Sequence, residues 1–241
     1  MLCRNTNKII GNWRKITSDK FILDFVQQCH LEFDNDIKPS QLILPFQMCF
    51  DKIQEKEIDN VIDNLLRLGV IKQVNFDKDQ YISSIFTVPN KDTKEQRMIL
   101  NLRELNKFIT PHHFKMDTFE MTLKLVKQYG YFGSIDLRHV YYSVSIAEED
   151  QKYLRFTWKK NQYSCLPNGF ASAPRIFTNL MKPVFATLRQ YGYKHDGYID
   201  DSLLIGDTEV ECDSNIKDTD TLLKWLGFVV HEKKSVFKPT K

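Results

Sequence analysis

The spacing of apolar and polar residues along the chain predicts several helices. Between residues 51 and 69, apolar side chains recur at helical intervals, and a glycine follows where a helix would end. Residues 208–225 show a second amphipathic pattern, and a third helix is predicted from Pro174, a residue suited to a first helical turn. A capping pattern predicts one more helix from Asp117 to Gly130. Residues 1–50 show weaker periodicity and are interpreted as a packing arm with one short helix.

Short apolar runs bounded by turn residues predict strands. Residues 82–88 and 98–102 predict a hairpin, and residues 153–157 and 162–165 predict another. Residues 131–137 predict a strand that ends near a carboxylate, Asp136. Strands mixed with helices in this way indicate a protein with both kinds of element packed around a shared core.

Two adjacent aspartates, Asp200 and Asp201, separate the apolar residues Tyr198 and Ile199 from a second apolar run. This pattern predicts a tight hairpin with the acidic pair at its bend. Neighbouring side chains of a straight strand point to opposite faces, so only a turn lets both carboxylates approach one point. Clustered carboxylates repel one another unless a cation neutralises them, and oxygen ligands suit Mg²⁺ or Mn²⁺.

An acidic pair at a turn is also common turn chemistry. The two interpretations differ in the role that they give to Asp136. It is either a cap for the next turn or the third carboxylate of a metal site. Both alternatives stay open on the residues alone.

The composition of the chain excludes only a few classes of function. The chain has 241 residues, 42% hydrophobic and 27% charged, with a net charge of +3, which permits a polyanionic partner without requiring one. Five scattered cysteines without a CxxC spacing predict neither a zinc ribbon nor a disulfide framework, and favour a reducing compartment. No run approaches the ~18 apolar residues of a membrane helix. We therefore predict a soluble, intracellular protein with no membrane partner.

Two further segments have two interpretations each. The predicted hairpin tip contains Lys91, Lys94 and Arg97, which form either a solvated surface or a contact for an anion such as a triphosphate. Residues 166–174 form an uncharged loop with Gly and Pro, which is either purely structural or a surface for a flat nucleobase or sugar.

Taken in order, the segments resemble the fingers and palm of a reverse transcriptase. The resemblance covers residues 51–241 and rests on SSIFTVPNKDTKEQRMILNLRELNKFI, FGSIDLRHVYYSVSI, LPNGFASAPRIF, YIDD and LGFVVHEKKS. In sequence detail, segments such as SAPRIFTNLMKPVFATLR and YIDDSLLIGDT are most similar to those of DIRS-type retrotransposons, which also encode a tyrosine recombinase.

The resemblance implies an α+β fold. The expected architecture is a polymerase palm, an antiparallel sheet bearing the acidic triad with helices on one face, joined to a fingers subdomain and without a thumb. The expected boundaries are an arm at 1–50, part of the fingers at 51–115, and the palm at 116–241 with a fingers insertion near 145–170.

The resemblance also implies a catalytic site. Asp136 and Asp200 would bind two Mg²⁺ or Mn²⁺ ions, assisted by Asp201 and the backbone carbonyl of Leu137. Lys234 matches a lysine proposed as general acid toward pyrophosphate, although Lys233 is equally near in sequence and such a pair is often a solvated turn.

For nucleotide binding, the resemblance assigns Lys91, Lys94 and Arg97 to the triphosphate. Tyr141 would exclude a 2′-hydroxyl, and the loop residues Asn168 and Gly169 would face the nucleotide and template. The sequence departs from the family pattern at three places: His139, whose backbone amide is expected near the triphosphate; Val140, a bulkier residue than usual before the tyrosine; and Asn168, which replaces a glutamine.

The implied function is RNA-directed DNA polymerisation by the core of a retroelement. Its partners would be an RNA or DNA template with its primer, dNTPs, and further domains of a longer polyprotein, namely a thumb, an RNase H and a recombinase. Without a thumb, weak primer-template binding is expected. The rival hypothesis is a truncated, catalytically silent retroelement remnant that binds nucleic acid weakly. An RNA-dependent RNA polymerase is a third alternative, which Tyr141 disfavours.

Overall fold

The structure is a computed structural model that describes residues 6–89, 96–114 and 130–241, without the side chains of residues 6–8 and 96–97. The described helices are α1 (Thr6–Ile16), α2 (Lys20–Gln27), α3 (Lys52–Leu68), α4 (Ala173–Gln190) and α5 (Glu209–Trp225). The strands are β1 (Ile71–Gln73), β2 (Ile82–Ser83), β3 (Ile85–Pro89), β4 (Gln96–Leu100), β5 (Tyr131–Arg138), β6 (Arg155–Phe156), β7 (Asn161–Tyr163), β8 (Lys194–Tyr198), β9 (Asp201–Gly206), β10 (Val229–Val230) and β11 (Val236–Thr240).

The chain forms two compact units, and both are discontinuous in sequence. The first unit comprises Met1–Thr6, Gln27–His112 and Tyr141–Ala173. The second unit comprises Asn7–Val26, His113–Val140 and Pro174–Lys241.

The first unit contains a four-stranded sheet, a separate hairpin and α3. The sheet order is β1-β7-β6-β2, with β2 parallel to β6 and the other pairs antiparallel. β3 and β4 pair as the predicted hairpin. α3 begins at Asp51, whose carboxylate accepts hydrogen bonds from the backbone of Ile53 and Gln54, while the Gln54 side chain bonds back to Asp51 N–H. It ends at Gly69, which adopts a left-handed conformation with φ of 74°.

The second unit contains an antiparallel sheet in the order β10-β5-β9-β8. β11 pairs with β5 as well, so β10 and β11 follow one another along the edge that β9 leaves open. α5 packs against β5, β9, β10 and β11. A Cβ at Gly133 on β5 would collide with Ile216 of α5, which shows how closely this helix approaches the sheet.

Helices α4 and α5 cover one face of the sheet of the second unit. Gly133 and Ile135 are buried on the face that α5 contacts. On β8, Gly197 faces the Phe185 ring of α4 and pairs in register with Ser202, which is opposite Ile135 on β5. Because strand residues alternate between faces, Asp136 lies on the face opposite these helices.

The predicted elements outside the arm are largely confirmed. The helices from 51, 174 and 208, the two hairpins of the first unit and the hairpin around the acidic pair are all present. In the arm, α2 is confirmed, whereas α1 was not predicted. Trp13 of α1 is 2% exposed and donates a hydrogen bond from Nε1 to the Leu226 carbonyl (3.1 Å). The predicted helix from Asp117 lies outside the described residues.

The described cysteines differ in state. Cys29, Cys49 and Cys212 are free thiols, and Cys165 is disulfide-bonded. One bond is not a disulfide framework, and the reducing compartment stays a prediction. Among the described residues, no helix has the length and apolar character needed to cross a membrane.

Candidate active site

A two-residue turn in the second unit presents the acidic pair. Tyr198 and Asp201 pair in register as the last residues of β8 and the first of β9, so Ile199 and Asp200 form the bend. Ile199 has a positive φ of 53°. Two-residue hairpins favour such left-handed geometry because it matches the twist of the strands. A β-branched residue there is strained by about 1–3 kcal/mol, which is characteristic of functional turns.

β5 brings the third carboxylate beside this turn. Asp136 and Asp201 are directly opposite one another on antiparallel strands, and the Leu137 N–H donates to the Asp200 carbonyl (2.8 Å). Asp200 and Asp201 are exposed, and the Asp136 side chain is 15% exposed. The structure therefore places all three predicted carboxylates, and Leu137, at one end of one sheet.

Negative charge dominates the electrostatics of this end of the sheet. Desolvation and then the charges of Asp200 and Asp136 raise the pKa of Asp201, and Lys234 only partly offsets them. Within the residues that the structure describes, no group of three or more His, Cys, Asp or Glu side chains is arranged to hold a metal ion. The donors fit a hard divalent cation in chemical type, since they are carboxylates with a backbone carbonyl nearby.

The turn between β10 and β11 holds the backbone of Asp136. The Asp136 N–H donates to Ser235 Oγ (3.0 Å), and the His231 N–H donates to the Asp136 carbonyl (2.8 Å). Ser235 Oγ donates in turn to the His231 carbonyl (3.0 Å). This turn brings Lys234 Nζ to 3.9 Å from Asp136 Oδ2, with the lysine side chain 61% exposed. Ser235 and His231 were not predicted as site residues, because backbone anchoring has no signature in residue spacing.

A buried asparagine supports the acidic hairpin from α5. Asn215 is fully buried, and its Nδ2 donates to the carbonyls of Lys194 on β8 (2.9 Å) and Ile205 on β9 (3.2 Å). Thr219 Oγ1 donates to Asn215 Oδ1 (3.1 Å). This residue was also missed, although two polar residues one helical turn apart among the apolar positions of α5 were a usable signal.

His139 follows β5 in a strained conformation, with φ of 58°. Its pKa is lowered, by desolvation first and then by the positive charges of Arg138 and His231. A left-handed residue at this point turns the chain sharply after the strand that contains Asp136. Val140, the second departure from the family pattern, is buried.

The predicted residues Tyr141, Asn168 and Gly169 belong to the first unit. Tyr141 lies half-buried in the short 3₁₀ turn Val140–Ser143. Asn168 donates from Nδ2 to the Tyr142 hydroxyl (3.1 Å), and Gly169 has φ of 87°. The carbonyl of Gly169 accepts a hydrogen bond from Asn106 Nδ2 (2.9 Å). Asn106 was not predicted as a site residue.

Of the three basic residues predicted at the hairpin tip, the structure describes only Arg97. Lys91 and Lys94 lie outside the described residues. For Arg97 the structure gives the backbone alone, paired with Val88 in the β3–β4 hairpin.

Comparison with known proteins identifies the family. Residues 88–241 match the family model described as reverse transcriptase (RNA-dependent DNA polymerase). The chain belongs to this family.

Similar proteins support the same class. The enzymatic polyprotein of cauliflower mosaic virus (strain Strasbourg) is 27% identical over 176 residues, covering 71% of this chain and 25% of that protein. The retrovirus-related Pol polyprotein from transposon gypsy of Drosophila melanogaster is 26% identical over 176 residues, covering 70% and 16%. The chain thus spans about a quarter or less of the length of these two relatives.

A solved structure supports the fold. The crystal structure of native prototype foamy virus protease-reverse transcriptase superposes with a TM-score of 0.68 at 27% identity, covering 84% of this chain and 26% of that one. The predicted α+β palm-and-fingers fold is confirmed by this match.

Proposed function

We propose that the chain is the RNA-directed DNA polymerase core of a retroelement, adding deoxynucleotides from dNTPs to a primer 3′-hydroxyl. The observation that supports this most strongly is the pairing of Asp136 with Asp201 beside a bend that presents Asp200. Two carboxylates from adjacent strands and one from the bend lie at the same end of one sheet, and their oxygen atoms are of the donor type that divalent cations prefer.

Asp136 and Asp200 are the proposed ligands of two Mg²⁺ or Mn²⁺ ions, with Asp201 and the Leu137 carbonyl assisting. When bound, such ions lower the pKa of a primer hydroxyl and neutralise the charge of a triphosphate. Desolvation is the first cause of the raised pKa of Asp201, and repulsion from Asp200 and Asp136 is the second, which a bound cation would relieve.

The remaining residues have proposed roles in substrate binding. Lys234, close to Asp136 and largely exposed, is positioned to protonate the leaving pyrophosphate. Tyr141 excludes a 2′-hydroxyl by the bulk of its ring. The loop residues Asn168 and Gly169 contact the nucleotide and template, and the backbone amide of His139 contacts the triphosphate. Lys91, Lys94 and Arg97 neutralise the triphosphate charge.

We further propose that the chain belongs to the DIRS-type subfamily, on the basis of the residues in SAPRIFTNLMKPVFATLR and YIDDSLLIGDT. The relatives found are caulimovirus, gypsy and foamy virus proteins. The arm at 1–50, part of the fingers at 51–115 and the palm at 116–241 with a fingers insertion near 145–170 remain the proposed boundaries. Template and primer, dNTPs and the other domains of a polyprotein remain the proposed partners, and an intracellular location remains a prediction.

Primer extension on an RNA template tests the proposed function. Purified protein is supplied with Mg²⁺ or Mn²⁺ and with either dNTPs or NTPs. The expected result is metal-dependent extension with dNTPs that the Asp200→Asn variant abolishes while its circular dichroism is unchanged. Asp24→Asn, at an exposed carboxylate of α2, is the charge-matched control and is expected to retain activity.

Two results would contradict the proposal. Extension that survives in Asp200→Asn would remove the carboxylate from the mechanism. Folded wild-type protein that binds primer-template and extends nothing would favour the silent remnant.

A further inference from the structure

The loop that contains Asn168 and Gly169 has an unusual backbone support. This loop, residues 167–171, belongs to the first unit and precedes α4. It turns at Gly169, where φ is 87°. A residue with a Cβ would be strained in that conformation. The Phe170 N–H bonds within the loop to the Pro167 carbonyl at 3.4 Å, a long distance that by itself would fix the loop only weakly.

Asn106 binds this loop through both ends of its side-chain amide. Nδ2 donates to the Gly169 carbonyl (2.9 Å), and Oδ1 accepts from the Ala171 N–H (3.0 Å). One side chain thus pairs with the backbone on both sides of Phe170, as a neighbouring strand would. The two contacts join positions 63 and 65 residues apart in sequence, so they hold the loop against a distant segment of the same unit.

The base from which Asn106 reaches the loop is itself fixed. Asn106 lies in the 3₁₀ turn Leu105–Phe108, beside the buried Leu105. Its own N–H donates to the Leu102 carbonyl (2.8 Å), and its carbonyl accepts from the Ile109 N–H (3.3 Å). A rigid base means that the position of the amide, and therefore of the loop, is set before a ligand arrives.

A second contact orients the side chain that the loop presents. Asn168 Nδ2 donates to the hydroxyl of Tyr142, the residue that follows Tyr141. The Tyr142 ring lies 6.4 Å from that of the buried Tyr163. Burial, and then the neighbouring Tyr142, raise the pKa of Tyr163 well above its ordinary value, so this phenol stays neutral. The loop backbone is therefore held by Asn106, and the Asn168 side chain by Tyr142.

We propose that Asn106 is a positioning residue for nucleotide binding, which presets the loop 167–171 so that Asn168 and Gly169 meet the incoming nucleotide without reordering. This inference rests on the proposed polymerase function. Presetting a loop lowers the entropic cost of binding, so the loss of Asn106 would appear mainly in the KM for dNTP and less in kcat.

The kinetic test compares Asn106→Ala with the wild type on one RNA template and primer. Removing two hydrogen bonds worth together about 1.4 kcal/mol predicts a KM for dNTP raised about tenfold. Asn106→Asp can still accept from Ala171 but sets a carboxylate oxygen against the Gly169 carbonyl, so its KM should rise at least as much as that of Asn106→Ala. Asn64→Ala, at an exposed asparagine of α3 that bonds Arg67, is the matched control and should keep the wild-type KM.

Amide hydrogen exchange measures the loop itself without relying on catalysis. In the wild type the Ala171 amide should be protected, in Asn106→Ala it should exchange faster, and in Asn106→Asp it should stay protected. Asn64→Ala should match the wild type. Together with the kinetics, this measurement separates a preset loop from a general loss of stability.

The outcomes also separate this inference from the proposed function. An active wild type, with Asn106→Ala showing a raised KM and faster loop exchange, supports the inference. An active wild type with an unchanged KM in Asn106→Ala, or a fall in kcat alone, overturns the inference and leaves the polymerase function standing. A wild type that incorporates no nucleotide overturns both.

Discussion

Ser235 offers the sharpest test of how the catalytic strand is held. Its Oγ accepts from the Asp136 N–H and donates to the His231 carbonyl, each at 3.0 Å. In Ser235→Ala the His231 carbonyl keeps the N–H groups of Lys234 and Ser235, also at 3.0 Å. The Asp136 N–H, in contrast, loses the partner that Ser235 supplies.

The expected cost follows from that asymmetry. Leaving a partly buried N–H without a partner costs about 1–3 kcal/mol of stability. Because the His231 carbonyl keeps two backbone donors, only the Asp136 N–H loses its partner, and the expected loss of stability is at the lower end of that range. We therefore expect Ser235→Ala to lower the free energy of unfolding by about 1–2 kcal/mol. Ser235→Thr keeps the hydroxyl and should restore most of this loss.

Urea unfolding followed by circular dichroism, at one pH and salt concentration, measures the effect. Ser18→Ala, at an exposed serine of the second unit, is the matched control and should change stability by less than about 0.5 kcal/mol. The reasoning is refuted if Ser235→Ala is as stable as Ser18→Ala, or if Ser235→Thr is no better than Ser235→Ala.

Three more outcomes are expected from the site. Because desolvation first, and then the charges of Asp200 and Asp136, raise the pKa of Asp201, its ionised form destabilises the fold, so stability declines as pH rises from 3.8 through the folded-state pKa. Asp201→Asn should therefore be more stable than the wild type at pH 7 and lose that advantage below pH 3.8, as urea unfolding at both pH values would show. Asn215→Ala leaves the carbonyls of Lys194 and Ile205 without its amide, and should cost about 2–4 kcal/mol in the same assay and speed hydrogen exchange in β8 and β9. Millimolar Mg²⁺ should raise the melting temperature of the wild type, and raise that of Asp136→Asn less, in a thermal scan.

The sequence predicted those elements whose signals are local. The helix from Asp51 has both a cap and a terminal glycine, and the acidic hairpin is bounded by apolar runs, so both were predicted nearly to the residue. Helix α1 was not predicted, because it has few apolar residues and is stabilised by a tertiary contact, the packing of Trp13 beside Phe228. Tertiary contacts of this kind leave little trace in local periodicity.

The same distinction holds at the site. The strand end and the turn made Asp136, Asp200 and Asp201 candidates for a metal site, and only the resemblance to reverse transcriptases gave them catalytic roles. Asn106, Asn215 and Ser235 act through backbone groups that are far away in sequence, and no spacing rule connects them with their partners. The hydrogen-bond partners of these residues were therefore visible only in the fold.

The most direct test of the account is the rate of a single nucleotide addition, measured by rapid quench with enzyme in excess over an RNA template annealed to a DNA primer. The account predicts that the wild type and Asp24→Asn add one dNTP at similar rates in the presence of Mg²⁺, while Asp136→Asn slows the addition by at least about a thousandfold with its fold intact. Addition by Asp136→Asn at the wild-type rate would contradict the claim that this carboxylate is at the centre of the reaction.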